Sequence, residues 1–234
     1  MANQTTVTRE EWLAVRLDLL KQEKALTRQR DEVSRARRAL PRVKIEKDYV
    51  FQTEKGDETL GDLFAGRSQL VLYHFMFGPD WEEGCKSCSL IADGFDGPDI
   101  HLAQRNVTFL AASRAPLPKL MSFRDRMGWK FRWVSSLQSD FNWDFQVAFS
   151  EEEVGGEVYY NYKSGKFPMT EAPGLSVFAK DPDGTIYHTY SCFGRGLDAL
   201  IGTYQYLDLV PKGRDEQNLP FSMGWVRHHD KYED

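Results

Sequence analysis

Apolar residues recur every seventh position in the first part of the chain: Trp12, Leu19, Leu26, Val33 and Leu40. Thr8-Arg9-Glu10-Glu11 precedes this stripe, with Thr8 placed as an N-cap and Glu11 as the acid that closes a capping box. Neither Gly nor Pro interrupts the segment before Pro41. The pattern predicts one long amphipathic helix. A second apolar line is partial, with Leu13, Leu17 and Leu20 early and polar positions afterwards. One stripe without a full partner stripe predicts a helix laid on a protein surface, its own domain or a dimer mate, in preference to a self-sufficient coiled coil.

Beyond Pro41 the period changes. Tyr49 to Thr53 reads as a short strand, and Gly56 to Phe64 as a turn and a short helix. Gln69-Leu70-Val71-Leu72-Tyr73-His74-Phe75-Met76-Phe77 is nearly all apolar, as expected of a strand covered on both faces. Asp99 to Arg105 and Leu117 to Met127 read as helices around a second buried strand, Val107 to Ala112. Strand–helix alternation of this kind predicts a layered α/β domain with right-handed crossovers. The stretch from 128 to 168 has dense aromatics and no clear period, and reads as an insertion over part of the domain, with the aromatics of 129–149 serving as core packing or a lid. Order returns with the strand Leu175 to Ala179, the turn Asp181-Pro182-Asp183-Gly184, and a returning strand Thr185 to Tyr190. A helix is predicted over Leu197 to Leu207. The expected organisation is a helical arm over 1–47, an α/β domain over 48–211, and a tail over 212–234 that packs on the body.

Charge sharpens the division. Residues 8–47 carry twelve Lys/Arg against seven Asp/Glu, a net of +5 within a chain of net charge −5. A basic arm on an acidic body predicts a docking contact within or between chains, and a homodimer through the N-terminal helix is one form of it. Acidic residues interleaved through the arm argue against nucleic acid. No window approaches the roughly 18 uninterrupted apolar residues of a membrane helix. The start of the chain has no basic-then-apolar signal pattern, so the expected compartment is the cytoplasm.

Three cysteines occur, Cys85, Cys88 and Cys192, too few for a disulfide framework. The first two form a Cys-x-x-Cys pair directly after the apolar strand, at an expected helix start. There, a helix N-terminus and Lys86 favour a thiolate at Cys85, while Asp80, Glu82 and Glu83 oppose it. Cys88, one turn on, is placed to resolve a mixed disulfide. Pro173 precedes the 175–179 strand, where it is expected to shape a substrate groove, in cis if the structure allows. Trp81 is expected to shield Cys85. Arg195, between two glycines, and Arg114, at a strand end, are candidate anion-binding or pKa-tuning groups. His74 is read as a core histidine, His188 as part of the sheet, Cys192 as a small core residue, and His228-His229 as solvent-exposed. A metal at the pair lacks further ligands, and neither a nucleotide-binding glycine motif nor a phosphate loop is present.

The order of elements around the pair resembles the thioredoxin-like superfamily. More specifically, the chain resembles a bacterial family known as a domain of unknown function, DUF899. The resemblance rests on Arg38-Ala39-Leu40-Pro41, Glu46-Lys47-Asp48-Tyr49, Tyr73 to Trp81, Cys85-Lys86-Ser87-Cys88, Asp93-Gly94-Phe95, Ser113-Arg114-Ala115-Pro116, Ser139-Asp140-Phe141-Asn142, and His188-Thr189-Tyr190-Ser191 followed by Gly194-Arg195-Gly196. It implies a thioredoxin-like three-layer α/β/α sandwich with a central mixed sheet, carrying a redox role without a defined substrate. Thioredoxin itself has Trp-Cys-Gly-Pro-Cys, whereas here Gly84 precedes Cys85 and Lys-Ser separates the thiols. Peroxiredoxins place Thr or Ser three residues before their reactive cysteine, where this chain has Glu82. The expected function is thiol–disulfide oxidoreduction on a protein or peroxide substrate, using a redox-active disulfide and no other cofactor. The alternatives are a thiol peroxidase with Cys85 peroxidatic and a non-enzymatic interaction or metal-carrying module.

Overall fold

The computed structural model describes residues 4–233. Helix α1 (Arg9–Arg38) begins at the expected cap: Thr8 Oγ1 accepts from the Glu11 amide at 3.2 Å, and Glu11 Oε2 accepts from the Thr8 amide at 2.9 Å. None of its residues is buried. Its apolar stripe is therefore not laid on its own domain, which corrects one of the two expected placements.

The chain continues through β1 (Val43–Lys44), β2 (Val50–Thr53), β3 (Gly56–Thr59), α2 (Leu60–Leu63) and β4 (Gln69–His74). Next come α3 (Lys86–Ala92), α4 (Pro98–Ala103), β5 (Val107–Ser113), α5 (Leu117–Arg126), β6 (Trp133–Ser135) and α6 (Phe141–Asp144). A hairpin, β7 (Glu157–Tyr160) and β8 (Lys163–Lys166), is followed by β9 (Gly174–Lys180) and β10 (Ile186–Phe193). A 3-10 turn (Gly194–Leu200) and α7 (Gly202–Leu207) lead into the tail.

Eight strands form the main sheet in the order β1-β10-β9-β4-β5-β6-β2-β3. β4 runs parallel to β5 and antiparallel to β9, which in turn pairs antiparallel with β10. The central run β10-β9-β4-β5 is the strand order of a thioredoxin-like core, with helices on both faces. Side chains alternate across β4, so Val71 and Tyr73 meet the layer of α3, α5 and α7, while Leu70 and Leu72 meet α2 and α6.

Three sequence expectations change in detail. The apolar run to Phe77 stays buried, but the strand stops at His74, and Phe75 to Phe77 continue as a loop tied to β5. The 128–168 stretch is not wholly an insertion. Its β6 joins the main sheet parallel to β5, and Phe131, Trp133 and Phe141 fill the core; only the β7–β8 hairpin forms a separate sheet. The arm also ends inside the sheet, since β1 pairs with β10. Among the described residues, no helix is long and apolar enough to cross a membrane.

Candidate redox site

The loop after β4 carries the chain up and over the core to Cys85. Gly84 is required there: a Cβ at that position would lie 2.7 Å from Phe75 Cε1 and 3.0 Å from Phe123 Cε1. The Cys85 amide donates to the Met76 carbonyl at 3.0 Å, fixing Cys85 as the N-cap of α3. Ser89 closes the first turn by donating from its amide (2.9 Å) and hydroxyl (3.0 Å) to the Cys85 carbonyl.

The two thiols differ sharply. Cys85 is partly exposed, while Cys88 is buried at 1% exposure. The Cys88 thiol donates to the Cys85 sulfur, and the amides of Cys88 and Ser87 and the charge of Lys86 add to that. Together they outweigh burial and lower the Cys85 pKa from 9.0 to about 7. Burial instead pushes the Cys88 thiol well above its ordinary value, and the partially charged Cys85 adds to the effect. The buried Tyr73 hydroxyl lies beside the Cys88 sulfur and has no other polar partner.

Of the three nearby acids, Glu83 is tied up by basic partners. Glu83 is held by Lys231 at 2.7 Å and by Arg126, and its carboxyl is kept below the usual range by those partners. The tail that brings Lys231 also brings His228. Its ring is 7% exposed, and its Nε2 lies 2.8 Å from the Gly84 carbonyl. The expectation of solvent-exposed tail histidines is thus wrong for His228 and right for His229, which is exposed and lies 2.7 Å from Asp93 Oδ1.

Cys85 and Cys88 open onto a groove of about 730 Å³. Pro173 and Arg195 line it, together with Met76, Leu197, Asp198 and Met223. Among the described residues no peptide bond is cis, so the bond preceding Pro173 is trans. The Tyr160 hydroxyl donates to the Pro173 carbonyl at 2.7 Å and accepts from the Gly194 amide at 3.1 Å. Tyr160 therefore clamps the two segments that flank the groove. It comes from the β7–β8 hairpin, where the sequence offers no signal for such a role.

Two expected residues lie elsewhere. Trp81 packs against the same apolar cluster as Cys85 without lining the groove. Arg114 does not reach the thiols at all. It stacks on Trp143 at 4.3 Å, and its Nε lies 3.3 Å from Glu171 Oε1. Glu171 is 1% exposed, and burial outweighs Arg114 to raise its carboxyl to about 7. Strand alternation explains the histidines in the same way. Tyr73 faces Cys88, so His74 faces the opposite side of the sheet, stacked on Phe141 at 5.5 Å. His74 Nε2 meets Ser176 Oγ at 2.8 Å, Ser176 meets Ser191, and Ser191 meets His188, each again at 2.8 Å. Burial lowers His74 to about 3, which keeps it neutral. It cannot join the cysteines as a metal ligand, and among the described residues no cluster of three or more His, Cys, Asp or Glu is arranged to hold a metal. Cys192 lines a separate cavity with His188, and burial raises its thiol.

A family model matches residues 1–232 of the chain. The protein belongs to the family described as bacterial protein of unknown function, DUF899. Comparison with curated proteins finds no match. Among solved structures, the chain is similar to peroxidoxin BcpB from Mycobacterium tuberculosis at 14% identity and a TM-score of 0.46, covering 71% of this chain and 97% of the other. It is also similar to peroxiredoxin Q from Xanthomonas campestris, at 15% identity and a TM-score of 0.43 over 67% and 90% of the two chains. A third is a candidate thiol:disulfide interchange protein DsbE from Chlorobium tepidum, at 12% identity and a TM-score of 0.41 over 70% and 96%. The fold assignment stands on the strand order and not on these scores.

Proposed function

We propose that this DUF899 protein is a thiol–disulfide oxidoreductase of the reducing cytoplasm, with Cys85 as nucleophile and Cys88 as resolving thiol. The observation that carries the reading is the unequal pair: a reachable sulfur lowered to about 7 beside a buried one that stays protonated, both on one groove. The Cys85 thiolate attacks one sulfur of a disulfide, forming a mixed disulfide and expelling a thiolate. That thiolate takes the Cys88 proton. The resulting Cys88 thiolate then attacks the Cys85 sulfur and expels the second product as a thiolate, which takes its proton from solvent. Two electrons pass from the pair to the substrate, and the pair becomes a disulfide. Lys86 favours the starting thiolate, Pro173 shapes the groove beside the sulfurs, and Arg195 stands at its rim. The pair is itself the redox group, without organic cofactor or metal.

The proposed partner of α1 is a second copy of this chain. Trp12, Leu19, Leu26 and Val33 are 43–49% exposed along one line of the helix, and the body of the same chain leaves that line bare.

Equilibration of the protein in glutathione redox buffers, followed by thiol counting, tests the function. A two-electron couple is expected, lost in both Cys85→Ser and Cys88→Ser. A chain whose thiols stay reduced throughout belongs to the non-enzymatic alternative. Consumption of hydrogen peroxide faster than of any disulfide would make Cys85 peroxidatic.

A further inference from the structure

The groove has two unlike ends. Met76, Ile91, Leu197 and Ile201 surround the sulfurs with apolar surface, whereas the outer end carries charges of both signs. Arg195 is 87% exposed there and pairs with Asp198 at 2.8 Å; Lys212 is 66% exposed and pairs with Asp215 at 2.6 Å. Asp215, about half exposed, supplies the exposed acid, while Arg214 holds Asp208 at 2.7 Å and Asp198 at 3.2 Å. An exposed pair such as Lys212–Asp215 is worth roughly 0–1 kcal/mol, so a ligand that brings its own ammonium and carboxylate replaces it at little cost, and the exposed Arg195 guanidinium remains within reach of a carboxylate.

The tail builds one wall of this groove, through Lys212 to Gln217 and Ser222 to Met223. That wall is fixed. Glu216 Oε1 accepts from the Tyr204 hydroxyl at 2.6 Å, from the Met223 amide at 2.9 Å and from Trp225 Nε1 at 2.8 Å. Val226 is fully buried, and His228 and Lys231 pin the far end of the tail beside Gly84 and Glu83. The sulfurs are thus reached through a walled groove of about 730 Å³, the size of a small-molecule site. A stably docked protein buries about 800 Å² on each partner and a transient redox partner less, and the standing wall limits how closely either approaches the sulfurs.

We infer that the substrate is a low-molecular-weight zwitterionic disulfide, of amino-acid or short-peptide type, which enters sulfur first and leaves its charged ends against Arg195, Lys212 and Asp215. This rests on the oxidoreductase reading. One such disulfide accepts two electrons and two protons and leaves as two thiols, while the cysteine pair becomes a disulfide. A dithiol reductant returns the pair to its starting state.

Pre-reduced full-length protein is mixed in single turnover with oxidised glutathione, with the neutral hydroxyethyl disulfide, and with insulin. Oxidised glutathione is expected to react fastest. In the double variant Arg195→Glu/Lys212→Glu, the ratio of the glutathione rate to the hydroxyethyl disulfide rate is expected to fall at least fivefold. A ratio that does not change, or insulin as the fastest substrate, overturns the zwitterionic assignment and leaves the oxidoreductase standing. If none of the three oxidises the pair, the oxidoreductase reading falls, and the substrate class with it.

Discussion

At the scale of single residues, the chemistry rests on one hydrogen bond between two thiols. The donation from Cys88 is the largest influence holding Cys85 near 7. Cys88→Ala removes the donor and leaves the amides and Lys86 to oppose burial. The pH midpoint of Cys85 alkylation by iodoacetamide is therefore expected near 7 in the native chain and at least one pH unit higher in the variant. A midpoint that stays in place would show that the backbone amides set the thiol by themselves. The cysteine pair and its nearest cation were legible in the sequence because their spacing is local. The pairing of Glu83 was not, because its partners Arg126 and Lys231 lie 43 and 148 positions away.

At the scale of elements, α1 is a 30-residue helix that buries nothing. Helices of that kind draw most of their stability from packing an amphipathic face. With a second copy as its cover, Leu19→Glu places a charge in the seam, and the protein is expected to change from dimer to monomer in sedimentation equilibrium at micromolar concentration. A native chain that sediments as a monomer removes the proposed partner. The heptad spacing and the capping box announced this helix from the sequence, because both are local signals. What covers its stripe was not announced. The sequence admitted its own body or a mate, and the placement of α1 away from the body removed the first. In the aromatic-rich stretch, core packing was among the readings, but which residues serve the core was not legible. Trp133 and Phe141 serve the core while Tyr160 serves the groove, so one compositional signal covered two different fates.

At the scale of the whole molecule, Glu171 joins separate parts: it forms a bridge with Ala148, faces Arg114 at the end of β5, and precedes Pro173 by two residues. Its carboxyl is raised from about 4.5 in the unfolded chain to about 7 in the fold, chiefly by burial. The folded state therefore holds that proton more tightly. The stability it contributes is complete below about pH 4.5 and is lost as pH rises to about 7. Over that window the loss amounts to roughly 3 kcal/mol. Urea unfolding at pH 5 and pH 8 is expected to show Glu171→Gln losing this part of the slope. A slope unchanged in the variant would mean that Glu171 stays ionised beside Arg114.

The sequence by itself determined the strand before Cys85, the thiols one turn apart, the capped arm and the order of elements that makes the sheet mixed. Each of these depends on residues near one another along the chain, through backbone periodicity and turn chemistry. The tertiary structure decided which side of the sheet each group serves and what closes the groove. Alternation along β4 parted His74 from the cysteines, the crossing of β5 and the Glu171 segment took Arg114 away from them, and the returning tail supplied His228, Glu216 and the outer wall. Those outcomes come from packing between distant segments, where burial and partner geometry select the contact and local sequence carries no record of it.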